Sequence, residues 1–460
     1  MAIIGRMDRE LLEAARNFTL EVFARGDLQG KIRKALERCG QLRQRASPLQ
    51  PVLMTWMILG LPLFRSDSVP AVLARLLTGL RDRVKGLPLE PSGDDALAHA
   101  RQRIGVEPIR ALFHDVAASI CPPASFHGYR TWAIDGVKLT MPDTPKNVAV
   151  FRRPKVSRGR AAFPRIKAVA LQATALRRVR DVRFGLWDAS ERALAEPLFK
   201  HMGPGDLVHL DRGLYGAEFL SKVTRRQADF LVRIPARVKL KAVLGTRKQD
   251  GDYLAWIGTG DGRLLVRIIE YRLRGSGKVR LATSVIDSSI PVMDWVLEYH
   301  ERWEIEIGFD EIETHLTSYA GGALKTIFRS KTPRGVMQEA YALFCTYNLV
   351  RETICVAAAQ AHIRPTEISF VGTLRAIGHM IPRMRSAQPE RLPQLYRQLL
   401  ADIADQCLER PRRKRRYPRV VKVRSCDEIT VSTPRKFLYL WSDRRIRNQT
   451  EIPGIGLMPG

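Results

Sequence analysis

The chain has 460 residues, well beyond a usual single domain, so more than one folding unit is expected. Hydrophobic residues at 45% and charged residues at 27% exclude a wholly disordered or coiled-coil chain. Lysine and arginine number 76 against 47 aspartates and glutamates, a net charge of +29 that exceeds what solubility requires and points to a polyanionic partner.

The longest apolar run, Val52 to Phe64, is interrupted by Gly60 and Pro62 and closed by Arg65. It is too short and broken to span roughly 30 Å of hydrocarbon, so no membrane partner is expected. The first residues lack a basic stretch followed by an apolar run and a small-residue cleavage site, so a cytoplasmic, nucleoid-associated protein is expected. The six cysteines form no C-x-x-C pair and the histidines no H-x-x-x-H spacing, which argues against a disulfide frame, a zinc site or a histidine-bound metal.

In chain order, apolar residues three and four apart predict helices over Met7–Arg25, Lys31–Cys39, Pro51–Leu61 and Ala71–Leu80, an all-α N-terminal domain over residues 1–125. Asp95–Gly105 and the helix opening at Glu107-Pro108 have the outline of a helix-turn-helix DNA reader. The alternative is two packed bundle helices with Arg101 and Arg103 merely solvated. From Gly128 the period changes to two, predicting strands over Tyr129–Leu139, Arg165–Ala173 and Val179–Trp187, a helix over Glu191–His201 and a strand over Asp206–Leu210. This order suggests a mixed α/β sheet. Residues 216–290 continue mainly as β, over Phe230–Ile234, Tyr253–Ile257, Leu264–Tyr271 and Val279–Ile286, and have the character of an insertion. Helices are expected over Pro291–Leu316 and Gly335–Ala359, the second apolar enough to be buried. Arg410 to Arg424 holds nine basic residues and no acidic one, among them Arg412, Arg413, Lys414, Arg415 and Arg416, a cluster suited to phosphates or to a solvated tail.

Three carboxylates stand out. Asp135 closes one apolar strand, Asp211 closes another, and Glu306 lies on the helix after the β-rich block. Carboxylates at two strand ends and on a later helix can converge, and such a set suits hard divalent cations that retain sites for substrate phosphates. Two ions roughly 4 Å apart would stabilise both oxygens of an in-line phosphoryl displacement. Each position also has a plainer explanation: Asp135-Gly136 is a hairpin-turn signal, Asp211-Arg212-Gly213 a strand exit, and Arg302 with Glu306 a surface ion pair. On a helix, Tyr299, Arg302, Glu306 and position 313 fall on one stripe, while Glu301, Glu304 and Glu311 fall opposite and read as solvated charges.

The run Tyr299-x-x-Arg302-x-x-x-Glu306 resembles the Y-x2-R-x3-E-x6-K signature of bacterial DDE-type insertion-sequence transposases, in particular insertion-sequence family four. Ile134-Asp135-Gly136, then Pro142-Asp143-Thr144 and Asn147, Asp211-Arg212-Gly213-Leu214-Tyr215 and Tyr347-Asn348-Leu349-Val350-Arg351 are similar to that family in the right order. The resemblance implies a ribonuclease-H-like mixed-sheet core in two parts, 126–215 and 291–370, interrupted by a β-rich insertion at 216–290 and followed by a basic segment at 371–460. It further implies cut-and-paste strand cleavage and transfer on double-stranded DNA, at element ends and target, with no small-molecule substrate. Asp135, Asp211 and Glu306 would hold two Mg²⁺ ions, with Mn²⁺ able to substitute, and a homodimer would assemble on DNA. Tyr299, Arg302 and Arg212 would contact DNA, and Trp256 or Tyr271 could stack on a flipped base. The signature's final lysine is here Glu313, which would repel a terminal phosphate. An inactive DNA-binding relative and a structure-specific nuclease of the same core are the alternatives.

Overall fold

The computed structural model describes residues 28–42, 49–65, 67–81, 93–156, 159–247, 251–260, 263–273, 277–316, 327–408 and 455–457. The helix expected over Met7–Arg25 and the basic cluster with Arg412, Arg413, Lys414, Arg415 and Arg416 lie outside them. The chain divides into two compact units, one formed by Met1–Asp206 with Arg302–Gln406, the other by Leu207–Glu301 with Cys407–Gly460. Helices and a mixed set of strands make it an α/β protein.

The first unit begins with α1 (Leu28–Arg38), α2 (Pro51–Gly60), α3 (Val69–Arg81), α4 (Asp94–Ile104) and α5 (Glu107–Ala118). Pro51 opens α2 where a missing N–H costs nothing, and nearly all of that helix is buried. Gly105, at φ +75°, turns the chain between α4 and α5. In α5 the buried Ile109, Leu112, Phe113 and Val116 recur three and four apart, and this stripe packs on the long helix α11 (Pro333–Gln360). Arg101 is not the solvated charge that the bundle alternative supposes. It donates to Gln338 Oε1 (3.1 Å), Ser330 Oγ (3.0 Å) and Glu339 Oε1 (3.2 Å), riveting α4 to α11.

Strands β2 (Tyr129–Thr140), β5 (Arg165–Ala173) and β6 (Arg178–Leu186) form an antiparallel meander, with the short β1 (Ala124–Phe126) on β2, while β3 (Lys155–Val156) and β4 (Gly159–Arg160) pair with each other. β5 is buried along almost its whole length, as a central strand covered on both faces must be. Asp135 and Gly136 do not close β2 and make no hairpin turn. They sit in mid-strand, opposite Ala170 and Val169, because the β-branched and apolar pattern continues past them through Leu139. The helix expected over Glu191–His201 is α-helical as α7 (Glu191–Ala195) and continues as a 3₁₀ turn from Glu196, where Pro197 removes a helical donor.

The single helix expected over Pro291–Leu316 is three segments: α9 (Val292–Glu301), which belongs to the second unit, then α10 (Trp303–Asp310) and a π-helical turn over Glu311–Leu316 in the first. α11 begins at Thr332, whose hydroxyl accepts from the Gly335 amide, and is buried along most of its length. Helices α12 (Phe370–Ser386) and α13 (Leu392–Ala404) complete the unit.

In the second unit β7 (Asp206–Leu210) pairs in parallel with β8 (Asp229–Arg233) through the crossover helix α8 (Ala217–Thr224). Strands β12 (Gly277–Thr283), β11 (Leu264–Leu273), β10 (Asp252–Ile257) and β9 (Lys241–Ala242) continue antiparallel in that order. The β-rich block of residues 216–290 lies in this unit. Arg267 of β11 pairs bidentately with Asp252 of β10, both buried. Among the described residues no helix is long and apolar enough to cross a membrane.

Candidate functional site

In the first unit the structure brings together three residues from two separate parts of the sequence. The Arg302 guanidinium donates through one nitrogen to Asp135 Oδ2 (3.1 Å) and through another to Glu306 Oε1 (2.6 Å). β2 supplies Asp135 from mid-strand, and Glu306 stands one helical turn after Arg302 at the start of α10. Arg302 is nearly covered at 10% side-chain exposure, whereas Asp135 and Glu306 keep 22% and 36%, so both carboxylates remain open to a ligand. Asp135 also accepts the Gly136 amide at 2.7 Å, which fixes its rotamer. The Arg302 guanidinium lies 5.7 Å from the ring centre of the half-exposed Trp303.

Asp211 belongs to the second unit and follows β7 directly. Its Oδ1 accepts the amides of Gly213 (2.8 Å) and Leu214 (3.0 Å), an Asx turn that presets the carboxylate. The next side chain, Arg212, is exposed. Tyr299 is buried in the same unit, where its hydroxyl donates to the Leu210 carbonyl at 3.4 Å. Of the two insertion aromatics, Tyr271 is 1% exposed and burial pushes its phenol pKa upward, which makes it a core residue. Trp256 lies under the Arg263 guanidinium, 4.1 Å from the ring centre.

A hard oxygen donor set on separate elements fits Mg²⁺ chemically. Among the described residues no three metal-ligating side chains stand grouped as a ready-made cage. Mg²⁺ does not demand one, since it commonly takes one or two carboxylates and completes its shell with water and substrate phosphates.

Two assignments from the sequence change. Glu304 and Glu311 are not solvated: they are 3% and 4% exposed and face Arg177 and Arg351, also buried. The signal is present in Arg351, the lone cation between Gly335 and Ala359 of a helix expected to be buried, which needs a buried partner. Arg177 offered no such sign, since it lies in a turn with φ +53°. The Pro142-Asp143-Thr144 and Asn147 motif does structural work. Asp143 pairs bidentately with Arg153, and Thr144 caps the helix α6 (Pro145–Phe151). Asn147 ties the loop to Ser330 through the carbonyls of Pro142 (3.0 Å) and Ser330 (3.1 Å).

Comparison with known proteins sets this geometry in a family. Residues 19–114 match the insertion element 4 transposase N-terminal family, and residues 126–349 match the transposase DDE domain. The chain is 31% identical over 409 residues to the transposase InsG for insertion sequence element IS4 of Escherichia coli (strain K12), covering 83% of this chain and 87% of the relative. Among solved structures, the piggyBac transposase synaptic complex with hairpin DNA matches with a TM-score of 0.42 at 11% identity, covering 86% of this chain and 88% of that one. Family membership brings with it DNA as substrate and a divalent metal as cofactor. The chain belongs to the IS4-type DDE transposases, the DNA-transposing enzymes of insertion sequences.

Proposed function

We propose that this transposase cuts DNA at the ends of its insertion sequence and joins the freed 3′ ends to target DNA, with Asp135, Asp211 and Glu306 as the ligands of two Mg²⁺ ions. The observation that carries the reading is that a strand carboxylate and a helix carboxylate, 171 positions apart by their numbers, share the one guanidinium of Arg302. Asp211 is added to them by the family motif. When bound, the metal would sharpen the nucleophile, water or a DNA 3′-hydroxyl, and offset charge on the leaving oxygen. The protein's own share is to hold the two carboxylates at fixed rotamers and keep them accessible. Arg302 offsets part of their charge, and with Tyr299 and Arg212 it belongs to the residues proposed to meet the DNA backbone.

The remaining proposals concern assembly. Residues 1–125 and the basic stretch Arg412-Arg413-Lys414-Arg415-Arg416 would grip DNA outside the catalytic residues, where a net charge of +29 favours phosphate contacts. Residues 126–215 and 291–370 would form the core around a 216–290 insertion. Two protomers would act together on the two ends, in the cytoplasm where the chromosome lies.

Cleavage of labelled DNA carrying the element's own ends tests this. Mg²⁺ should support nicking at the end boundary, Mn²⁺ should substitute, and EDTA should stop it. Asp135→Asn, Asp211→Ala and Glu306→Gln should each abolish the cut while retaining end binding. A variant of any of the three that still cuts would remove that residue from the metal set.

A further inference from the structure

Behind the helix that carries Glu306 lies a closed ionic cluster that no role in phosphate binding or metal ligation absorbs. Glu304 of α10 pairs with Arg177, and Glu311 accepts from Arg177 (3.0 Å), from Arg351 through both carboxylate oxygens, and from the Tyr347 hydroxyl (3.0 Å). All five side chains are buried, and the two arginines balance the two glutamates. Burial alone would raise the Glu311 carboxyl, but Arg351 and Arg177 outweigh it and hold the group below the usual carboxylate range.

The placement of these contacts on the helix matters. Glu304 and Glu311 are two turns apart and share a face, while Glu306 lies about 200° away from Glu304 around the axis. The cluster therefore holds α10 from one side and fixes the rotation that presents Glu306 on the other. Two further contacts tighten this grip. Gln172 of β5 donates to the Glu304 carbonyl at 2.9 Å. At Gly308 a Cβ atom would stand 2.3 Å from Gln172 Oε1 and 3.1 Å from the Tyr347 hydroxyl, so the helix backbone presses directly on both. The π turn at Glu311–Leu316 widens the helix where Glu311 must reach Arg351 on α11.

We propose that Tyr347 and Arg351, acting through Glu311 together with Arg177 and Glu304, are positioning residues that set the rotation of α10 and so place the Glu306 carboxylate for metal. The proposal rests on the reading of Asp135 and Glu306 as metal ligands. The Tyr347-x-x-x-Arg351 spacing then has a function on this chain: one helical turn puts a hydroxyl and a guanidinium on the same glutamate.

The test measures Mn²⁺ binding to the full chain by titration calorimetry without DNA, beside thermal melting, end binding in EDTA, and the Mn²⁺ dependence of cleavage. Tyr347→Phe removes one hydrogen bond at constant shape, and Arg351→Lys keeps the charge but loses the fork. Both should weaken Mn²⁺ binding, the first about threefold, since it loses a single hydrogen bond, and the second about tenfold, the lower end of what loss of a ligand-orienting partner costs. End binding should stay at the wild-type level, and raised Mn²⁺ should restore most cleavage to Tyr347→Phe. Wild-type Mn²⁺ affinity in Tyr347→Phe would overturn the proposal, whether or not its melting temperature falls, because the cluster would then serve stability alone. Asp135→Asn is the companion measurement. If it leaves Mn²⁺ binding unchanged, the metal reading itself fails and takes the proposal with it, a result distinct from failure of the positioning variants only.

Discussion

Glu313 stands in the π turn after the helix bearing Glu306, half-buried. Burial pushes its carboxyl above the usual range, Asp310 adds to the rise, and Arg165 opposes it. A carboxylate here repels phosphate and supplies none of the attraction of the lysine usual at this place in the signature. Glu313→Lys is therefore expected to tighten binding to element ends and to steepen the salt dependence by about one phosphate contact. Filter binding across a salt series would show it, and an unchanged slope would mean that position 313 does not face the backbone. At this scale the sequence was partly legible. Asp135 and Glu306 stand out by their places on a strand and a later helix, Arg302 by its resemblance to the family signature, and the structure joins them by hydrogen bonds. The mid-strand setting of Asp135 was hidden, because Asp-Gly is locally a turn signal and only pairing with β5 overrides it. Glu304 and Glu311 look solvated in the sequence because their partners, Arg177 and Arg351, lie far away in it and periodicity carries no such information.

At the scale of elements, α10 is held by contacts that tolerate little change. Gly308→Ala should force the Gln172 side chain from its bond to the Glu304 carbonyl, in a place where that side chain is fully buried. A loss of about 1–3 kcal/mol is expected, as for other overpacked core sites. Urea unfolding would measure it, and a change within about 0.5 kcal/mol would show that Gln172 can move aside at no cost. Arg101→Met should likewise loosen α4 from α11, leaving Glu339 with the Ser330 hydroxyl and the Arg329 amide as partners. Most strands and helices could be read from periodicity to within a residue or two, β5 and β7 to the residue. The break at Arg302 and the π turn could not, since both arise from tertiary demands on a segment whose local pattern is simply helical.

For the whole molecule, buried carboxylates dictate the response to acid. Burial would raise Asp181, but the hydrogen bond from His201 and the charges of Arg183 and His114 bring it below its ordinary value, as the arginines do for Glu311. Groups depressed in the folded state contribute stability above their unfolded pKa and lose it as pH falls through the folded value. The melting temperature should hold near neutrality and drop steeply once pH passes below about 4. His114, lowered chiefly by burial with Asp181 opposing, adds a shallower decline that begins as pH falls through its unfolded value of 6.5, where the unfolded chain takes up the proton first. Melting curves from pH 7 to pH 3 would display both phases, and His114→Gln should remove the shallow one. A melting temperature flat to pH 3 would contradict the account.

The first unit is assembled from two stretches of chain, with Leu207–Glu301 of the second unit lying between them in sequence. Arg177 leaves the ribosome before either of its glutamates: Glu304 follows 127 residues later. At about 5–20 residues per second that interval is roughly 6–25 s, during which the guanidinium must stay in water because no buried counter-charge exists. The core can therefore close around Arg177 only after Glu304 and Glu311 have emerged. A copy of the element whose reading frame stops short of Glu311 yields a chain that cannot bury β5 and β6 together with Arg177. Such truncated products are expected to be degraded and not to accumulate as folded competitors for the element's ends, which pulse-chase labelling of a chain stopped at residue 303 would check.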